Sequence, residues 1–486
     1  MIATYLSRMG IYLKRRVSWS TKPVGCNTRF TIAVNSGEQT GASMRYSVFY
    51  WLVSLGTISI GFTNAVGDFQ PEQVHLSIGE NNTDIVVTWV TPSPPNSSVV
   101  EYGTNNLALR ATGNATLFTD GGSLKRQMWM HRVRLTNLTP DTRYFYHCGS
   151  DLGWSEILTF KTWPAGNNWK VRAAMYGDLG AVNGKSLARL QEDVTKGMYD
   201  VIVHVGDFAY DLDTNEAEVG DTFMRHIEPI ASYVPYMTCP GNHEHAYNFS
   251  NYRARFTMPK YQSTENLYFS WNAGPVHFVA VNTEAYYYLQ YGTDPLFYQW
   301  EWLLSDLVEA AKPANRALRP WIILYGHRPM YCSAKDGDDC THKECFLRAG
   351  IAGNFVMEEL LRDYGVDVAV WAHEHNYERI FPMYNYTVLN GSTEAPYTNP
   401  RGPVHLISGS AGCQEDHDHF MPEKPDWSAY RSSDYGYGRL TVYNATHLYW
   451  EQVSDDKDGT VIDSIWVIKN SHGPYRELYP EYYPDP

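Results

Sequence analysis

Five short polar blocks in this chain each stand directly after an apolar run: Asp178 in GDLG, Asp207 and Tyr210 in GDFAYD, Asn242 and His243 in GNHE, His327 in GHRP, and His373 with His375 in AHEHNYER. Carboxylate, phenol, amide and imidazole all bind metals, and this oxygen-rich mixture suits two ions sharing one carboxylate better than a single tetrahedral zinc. Asp207 is the candidate bridge. Two such ions acidify a bound water and take up charge from a substrate oxygen, which is hydrolytic chemistry. His243, beside Asn242 and outside the ligand set, is the candidate general acid for a leaving alkoxide. Its alternative reading is a histidine that only orients a ligand. Taken singly the blocks are ordinary: Asp178 and Asn242 suit turns, His327 a hydrogen-bonded core histidine, and His373 and His375 an alternating strand. Their shared position after apolar strands joins them.

The elements that must position these residues alternate between strands and helices. The run Val201 to Val205 reads as a buried strand, with Gly206 turning the backbone sharply before Asp207, and strand ends of open α/β sheets are where sites form. VRAAMY leads to Asp178, and YVPYMTC leads to Asn242. Helical spacing appears at Leu187, Leu190 and Val194, at Trp300, Leu303, Leu304 and Leu307, and at Phe355, Leu360 and Leu361. WIILYGH ends at His327 and VDVAVWAHEH at His373 and His375, which, two apart, are expected to share one strand face. VHLISGS, YGRLTVYN, HLYWEQV and SIWVIKN add a β-rich finish. From Gln70 to about Pro164 short alternating strands cut by turns predict a β-sandwich. There Thr139-Pro140-Asp141-Thr142, followed by Tyr144 and Tyr146, resembles the corner of a fibronectin type III module. The predicted fold class is α/β: an N-terminal β-sandwich (67–164), then a two-sheet α/β sandwich flanked by helices (165–471). A Pro- and Tyr-rich tail (472–486) lacks such patterning.

The chain has 486 residues and a formal charge of −14, which calls for more than one domain. Residues 1–66 hold seven basic residues and one acidic one, leaving 32 basic and 52 acidic beyond, a balance of −20 that disfavours nucleic acid as a partner. Residues 44–65 read as a secretory signal: Met44 and Arg45, the apolar run VFYWLVSLGTISIGF, and a small-residue cleavage site at Thr63-Asn64-Ala65. Met44 is read as the working start and residues 1–43 as an upstream extension; an uncleaved signal anchor is the alternative. The expectation is a secreted or extracellular protein, with lysosomal delivery as a variant and no stable membrane anchor. Eight sequons accord with secretion: Asn81, Asn96, Asn114, Asn137, Asn248, Asn385, Asn390 and Asn444. Six cysteines lie beyond the signal, an even number suited to disulfides, and Cys332 is expected to pair with Cys340. Cys332, Cys340 and Cys345 with His342 lack any C-x-x-C pair, which argues against zinc there. Nothing in the sequence reports an oligomeric state.

The blocks G-D-x-G, G-D-x-x-Y, G-N-H-[DE], a His-bearing strand end and x-H-x-H-x-Y-E-R resemble those of the purple acid phosphatases. The resemblance runs from near Gln70 to about Asn470. It implies ferric iron held by Asp178, Tyr210, His375 and the bridging Asp207, with divalent iron, zinc or manganese held by Asp207, Asn242, His327 and His373. Tyr210 discriminates, because a phenolate suits hard ferric iron and gives the charge-transfer colour. It further implies a metal-bound hydroxide attacking phosphate monoesters in mild acid, with the larger animal-type members as the nearest pattern. A phosphodiesterase or nucleotide hydrolase on the same centre, or a non-catalytic binding glycoprotein, are the alternatives. Two departures stand out. Plant relatives carry a histidine pair after the His327 position, where this chain has CSAKDGDDCTHKEC with Asp336, Asp338 and Asp339, and Ala372 stands where Gly is usual. Tyr377, Glu378 and Arg379 are expected to brace the structure through a Glu-Arg pair.

Overall fold

The computed structural model describes residues 66–483 apart from positions 336 and 338, so the 44–65 signal and the segment before it lie outside the described residues. The N-terminal part is a β-sandwich. One antiparallel sheet runs Glu72–Ile78, Ile85–Thr91, Gln127–Leu135, Asn114–Thr119. The other is built on Val99–Gly103 and Arg143–Ser150, flanked by Leu109–Thr112, Gly153–Trp154 and Leu158–Lys161. The Tyr144 hydroxyl accepts the Thr139 N–H at 3.0 Å, so the tyrosine corner expected from the turn sequence is formed.

Two mixed sheets follow. The first orders Tyr236–Cys239, Val201–Val205, Val171–Tyr176, Gly436–Val442, His447–Ser454 and Thr460–Ile468, the first three parallel to one another. The second orders Phe269–Ala273, Val276–Ala280, Trp321–Tyr325, Val368–Trp371, Val404–Ser408, Tyr377–Ile380 and Ser428–Ser432, with a parallel centre. Strands covered on both faces read as unbroken apolar runs, and Val201–Val205 and Trp321–Tyr325 are buried throughout. The Leu187–Thr195 helix packs Leu190 and Val194 into the first sheet's core, and the Asp294–Ala311 helix packs Leu303 and Leu307 into the second's. Glu218–Ala231 is a helix that the sequence reading passed over; its Phe223, Ile227 and Ile230 join the first core.

Several expectations are corrected. His373 and His375 do not lie on a strand, because the strand ends at Trp371 and His373 takes a left-handed φ of 72° that turns the chain. Beyond the Cys332–Cys340 disulfide, Cys148, Cys239, Cys345 and Cys413 are free and buried, so an even count did not mean complete pairing. Arg379 pairs with Asp463 (2.7 Å), not with Glu378, which accepts from the Ser333 N–H (2.8 Å) and from the Ser333 and Ser428 hydroxyls. The stretch read as an unpatterned tail folds back: Tyr475 and Tyr483 are buried against Leu389, and His472 Nδ1 lies 3.1 Å from Asp367 Oδ1. Seven sequon asparagines are exposed and Asn390 is half-buried. No helix among the described residues is long and apolar enough to cross a membrane.

Candidate metal centre

The parallel strands of both sheets deliver their following loops to one place. Asp178 follows Val171–Tyr176, Asp207 follows Val201–Val205, Asn242 follows Tyr236–Cys239, His327 follows Trp321–Tyr325, and His373 and His375 follow Val368–Trp371. Turning so abruptly requires left-handed backbone at Asp178 (φ 60°), Asp207 (φ 51°) and Tyr210 (φ 53°) as well as at Gly206 (φ 80°). A Cβ on Gly206 would stand 2.5 Å from His327 Nδ1, so only glycine lets that ring approach. Ala372 is accommodated because its Cβ faces Gly177, where a second Cβ would lie 2.4 Å away.

All seven candidate ligands are gathered, in two groups. In one, the Tyr210 hydroxyl donates to Asp178 Oδ1 at 2.9 Å and lies 3.0 Å from His375 Nε2. In the other, His327 Nε2 lies 3.1 Å from Asp207 Oδ2, 3.0 Å from Asn242 Oδ1 and 3.2 Å from His373 Nδ1. Asp178, Asp207 and His327 are completely buried or nearly so. His327 donates its Nδ1–H to the Val205 carbonyl at 2.9 Å. Its Nε2 faces a carboxylate and an amide oxygen, a corner of acceptors that either a proton on the ring or a cation satisfies. Asp207 Oδ2 is buried without a hydrogen-bond donor. The donor set thus fits metal ions, and among the described residues Asp207, His327 and His373 offer atoms close enough to share one.

The electrostatics agree. Burial pushes the Asp178 carboxyl up to about 7 against the pull of His327 and His375. Burial also opposes ionisation of Asp207, yet His327, His243 and His373 outweigh it and hold that carboxyl well below the usual range. Two neighbouring carboxylates driven apart in this way mark a functional site. Burial raises the Tyr210 phenol, an effect that Asp178 and Asp207 reinforce.

Around this set stand residues that the sequence reading missed. Glu244 is 2% exposed and accepts three backbone N–H groups: Asp207 at 2.9 Å, Phe208 at 3.0 Å and Gly241 at 2.8 Å. It clips the Asp207 loop to the Asn242 loop. Arg328 donates to Glu284 (2.9 Å) and meets His373 Nε2 (2.9 Å). Residues 413–418 wrap the Tyr210 side: Gln414 donates to the Tyr210 carbonyl (3.2 Å), His375 Nδ1 meets the Asp416 carbonyl (3.0 Å), and Asp418 accepts the His375 N–H (2.7 Å). Glu244 and Arg328 stand inside the GNHE and GHRP blocks, whereas Gln414 lies some two hundred residues from Tyr210 and left no local signal.

His243 borders both ligand groups, its ring centroid 4.3 Å from that of Tyr210 and its Nε2 3.9 Å from Asp207 Oδ2. Its N–H donates to Asp207 Oδ1 (2.9 Å), its Nδ1 lies 2.5 Å from Asp211 Oδ1, and its Nε2 lies 3.5 Å from Glu415 Oε2. Burial works against its charge, but Asp211 and Asp207 raise its pKa to about 9. Its side chain is 20% exposed and reaches solvent. The sandwich braces this side: Asp120 accepts from Asn251 Nδ2 at 2.9 Å, just beyond the His243 segment. On the other side Cys340 Sγ of the disulfide lies 2.9 Å from Glu374 Oε1, so the staple abuts the turn between His373 and His375. Asp339 accepts from the Tyr287 hydroxyl and the Phe346 N–H, while Asp336 and Asp338 lie outside the described residues.

Comparison with known proteins gives a consistent result. Residues 71–162 match the purple acid phosphatase N-terminal domain, residues 171–377 the calcineurin-like phosphoesterase family, and residues 402–464 the family described as iron/zinc purple acid phosphatase-like protein C. The chain is 54% identical over 413 residues to acid phosphatase type 7 of Danio rerio, covering 83% of this chain and 93% of that protein. It is 50% identical over 434 residues to acid phosphatase type 7 of Homo sapiens, covering 88% and 98%. A purple acid phosphatase from seeds of yellow lupin (Lupinus luteus) shares the fold at a TM-score of 0.68 and 24% identity, over 82% of this chain and 74% of that one. The three matches run through the sandwich and the two-sheet core in one order, and the relatives cover most of both chains: this chain belongs to the purple acid phosphatases.

Proposed function

We propose that the protein is a secreted acid phosphatase hydrolysing phosphate monoesters at a dinuclear centre. Asp178, Tyr210, His375 and Asp207 would hold ferric iron, and Asp207, Asn242, His327 and His373 a divalent ion. When bound, such a pair activates water at acidic pH and neutralises charge on the phosphate. The observation that carries this reading is the buried Asp207 carboxylate, whose Oδ2 lies 3.1 Å from His327 Nε2 and has no other hydrogen-bond partner among the described residues. Relatives named acid phosphatase type 7 support the same substrate chemistry.

The chain's own residues supply orientation and a proton. Glu244 fixes the backbone on either side of the shared carboxylate, and the Val205 carbonyl fixes the His327 tautomer. His243, with Nδ1 on Asp211 and Nε2 facing the exposed Glu415 carboxylate at 3.5 Å, holds a proton that it can deliver to a leaving alkoxide. Exposed sequons and the 44–65 signal sequence support secretion. The test is metal analysis and visible absorption of the purified protein together with hydrolysis of nitrophenyl phosphate. Two metals per chain, one ferric, and a coloured active protein are expected; a colourless protein lacking iron overturns the proposal.

A further inference from the structure

Three large rings share the outer face of the last two hairpins of the first sheet. The register sets Tyr449 between Thr441 on one neighbouring strand and Trp466 on the other, and the Tyr443 N–H donates to the His447 carbonyl. Alternation along the strands then sends Val442, Leu448 and Val467 into the core and Tyr443, Tyr449 and Trp466 to the opposite face. The rings form one cluster, the Trp466 centroid lying 5.1 Å from that of Tyr443 and 4.8 Å from that of Tyr449. Tyr443 is 43% exposed and Trp466 45%, and Lys170 Nζ stands 5.4 Å from the centre of the Tyr443 ring. An exposed apolar cluster with a polar rim marks a contact surface.

The sequence places its occupant one residue away. Asn444, directly after Tyr443, heads the sequon Asn444-Ala445-Thr446 in the turn that joins Gly436–Val442 to His447–Ser454. That turn is fixed from several sides. Asn444 Oδ1 accepts the Thr446 N–H (2.9 Å), the Thr446 hydroxyl (3.0 Å) and the His447 N–H (3.0 Å). The Asn444 carbonyl accepts the Trp321 indole N–H (2.8 Å), and the Thr446 carbonyl accepts the Lys469 N–H (2.9 Å). The side-chain oxygen is thus committed to the turn, while Nδ2, the atom that carries a glycan, stands outside these bonds on an exposed residue.

We propose that Tyr443, Tyr449 and Trp466 form a shelf for the N-glycan on Asn444, whose first sugars lie with a C–H face against these rings. The inference rests on the secretion reading above. Attachment replaces one Nδ2–H by a bond to the anomeric carbon, the glycan leaving a lipid-diphosphate donor and the proton passing to solvent. The negative face of an aromatic ring attracts polarised C–H groups. A pyranose carries such groups on one side and hydroxyls around its rim, so the group that covers the rings stays hydrated.

The test is hydroxyl-radical labelling, read peptide by peptide, of protein started at Met44 and secreted from cells, with glycan occupancy mapped on the same samples. Wild type is compared with Asn444→Asp, which keeps an oxygen for the turn and cannot carry the glycan. Labelling of Tyr443, Tyr449 and Trp466 should rise roughly twofold in Asn444→Asp, because a covered ring face is bared, while peptides elsewhere label as before. Equal labelling of the three rings with Asn444 glycosylated in wild type overturns the proposal. If that equal labelling falls as protein concentration rises, the shelf belongs to a second copy of the chain instead. Glycans at other sequons but none at Asn444 overturn the proposal with secretion standing, whereas a protein without any glycan overturns the secretion reading and this proposal together. If Asn444→Asp is not secreted, Trp466→Ser decides. Release of the Asn444 glycan from the folded protein by peptide N-glycosidase should be faster in Trp466→Ser than in wild type, with the other sites unchanged, and an equal rate overturns the proposal.

Discussion

Glu244 gives the sharpest quantitative test of how the loops are held. Its Oε2 accepts from the Asp207 and Gly241 N–H groups and its Oε1 from Phe208, at 2.8–3.0 Å in a site 2% exposed. In Glu244→Gln the amide oxygen can take the place of Oε2 and keep two of these bonds. The amide NH₂ then confronts the Phe208 N–H, leaving one buried donor unmatched at a cost of about 1–3 kcal/mol. Where the loop stays clipped, that cost appears as lower stability. Where the loop relaxes, it appears as weaker metal binding of about 5- to 150-fold. Glu244→Ala orphans all three donors and should lose more. The assay is thermal unfolding of metal-free protein alongside metal titration, because the two together must account for the cost. Unchanged Tm and unchanged metal affinity in both variants would refute the clip.

Tyr210→Phe should bleach the visible band with the fold intact, and an unaltered spectrum removes Tyr210 as a ligand. His243→Ala should keep both metals and lose about 10²- to 10⁴-fold in rate on alkyl phosphates, with a smaller loss on nitrophenyl phosphate, whose leaving group needs less protonation; equal losses would mean that His243 binds phosphate or orients Asn242 instead. Burial opposes ionisation of Asp367, but Lys469, Arg316 and His472 hold it well below the usual carboxylate range. The stability it contributes is therefore present above the unfolded value near about 4 and is lost as pH falls below it. Asp367→Asn should cost about 3–5 kcal/mol at neutral pH, and the Tm gap to wild type should narrow progressively as pH falls from about 4 toward the depressed folded-state value; a gap independent of pH would contradict this. Glycopeptide mapping of secreted protein started at Met44 should find glycans among the exposed sequons and none at half-buried Asn390, and an unglycosylated cytosolic product would count against secretion.

The sequence by itself determined the metal-binding vocabulary and the sheets that present it. Unbroken apolar runs such as Val201–Val205 and Trp321–Tyr325 are legible because a strand covered on both faces must be apolar throughout. The polar residue after each run is legible because the chain must leave the sheet there. The tyrosine corner and the Cys332–Cys340 staple were readable for a similar reason, being contacts between near neighbours in the chain. The tertiary structure alone decided everything that depends on meeting a distant partner. It turned His373 and His375 off the strand through one left-handed residue, gave Arg379 to Asp463, and left four cysteines unpaired. It also set Glu244 across two loops and brought Gln414 against Tyr210, some two hundred residues earlier in the chain. Local pattern records only whether a residue suits a strand, helix or turn. Which side chain faces which across a buried centre is fixed by how loops from two sheets pack, and no periodicity in the sequence carries that information.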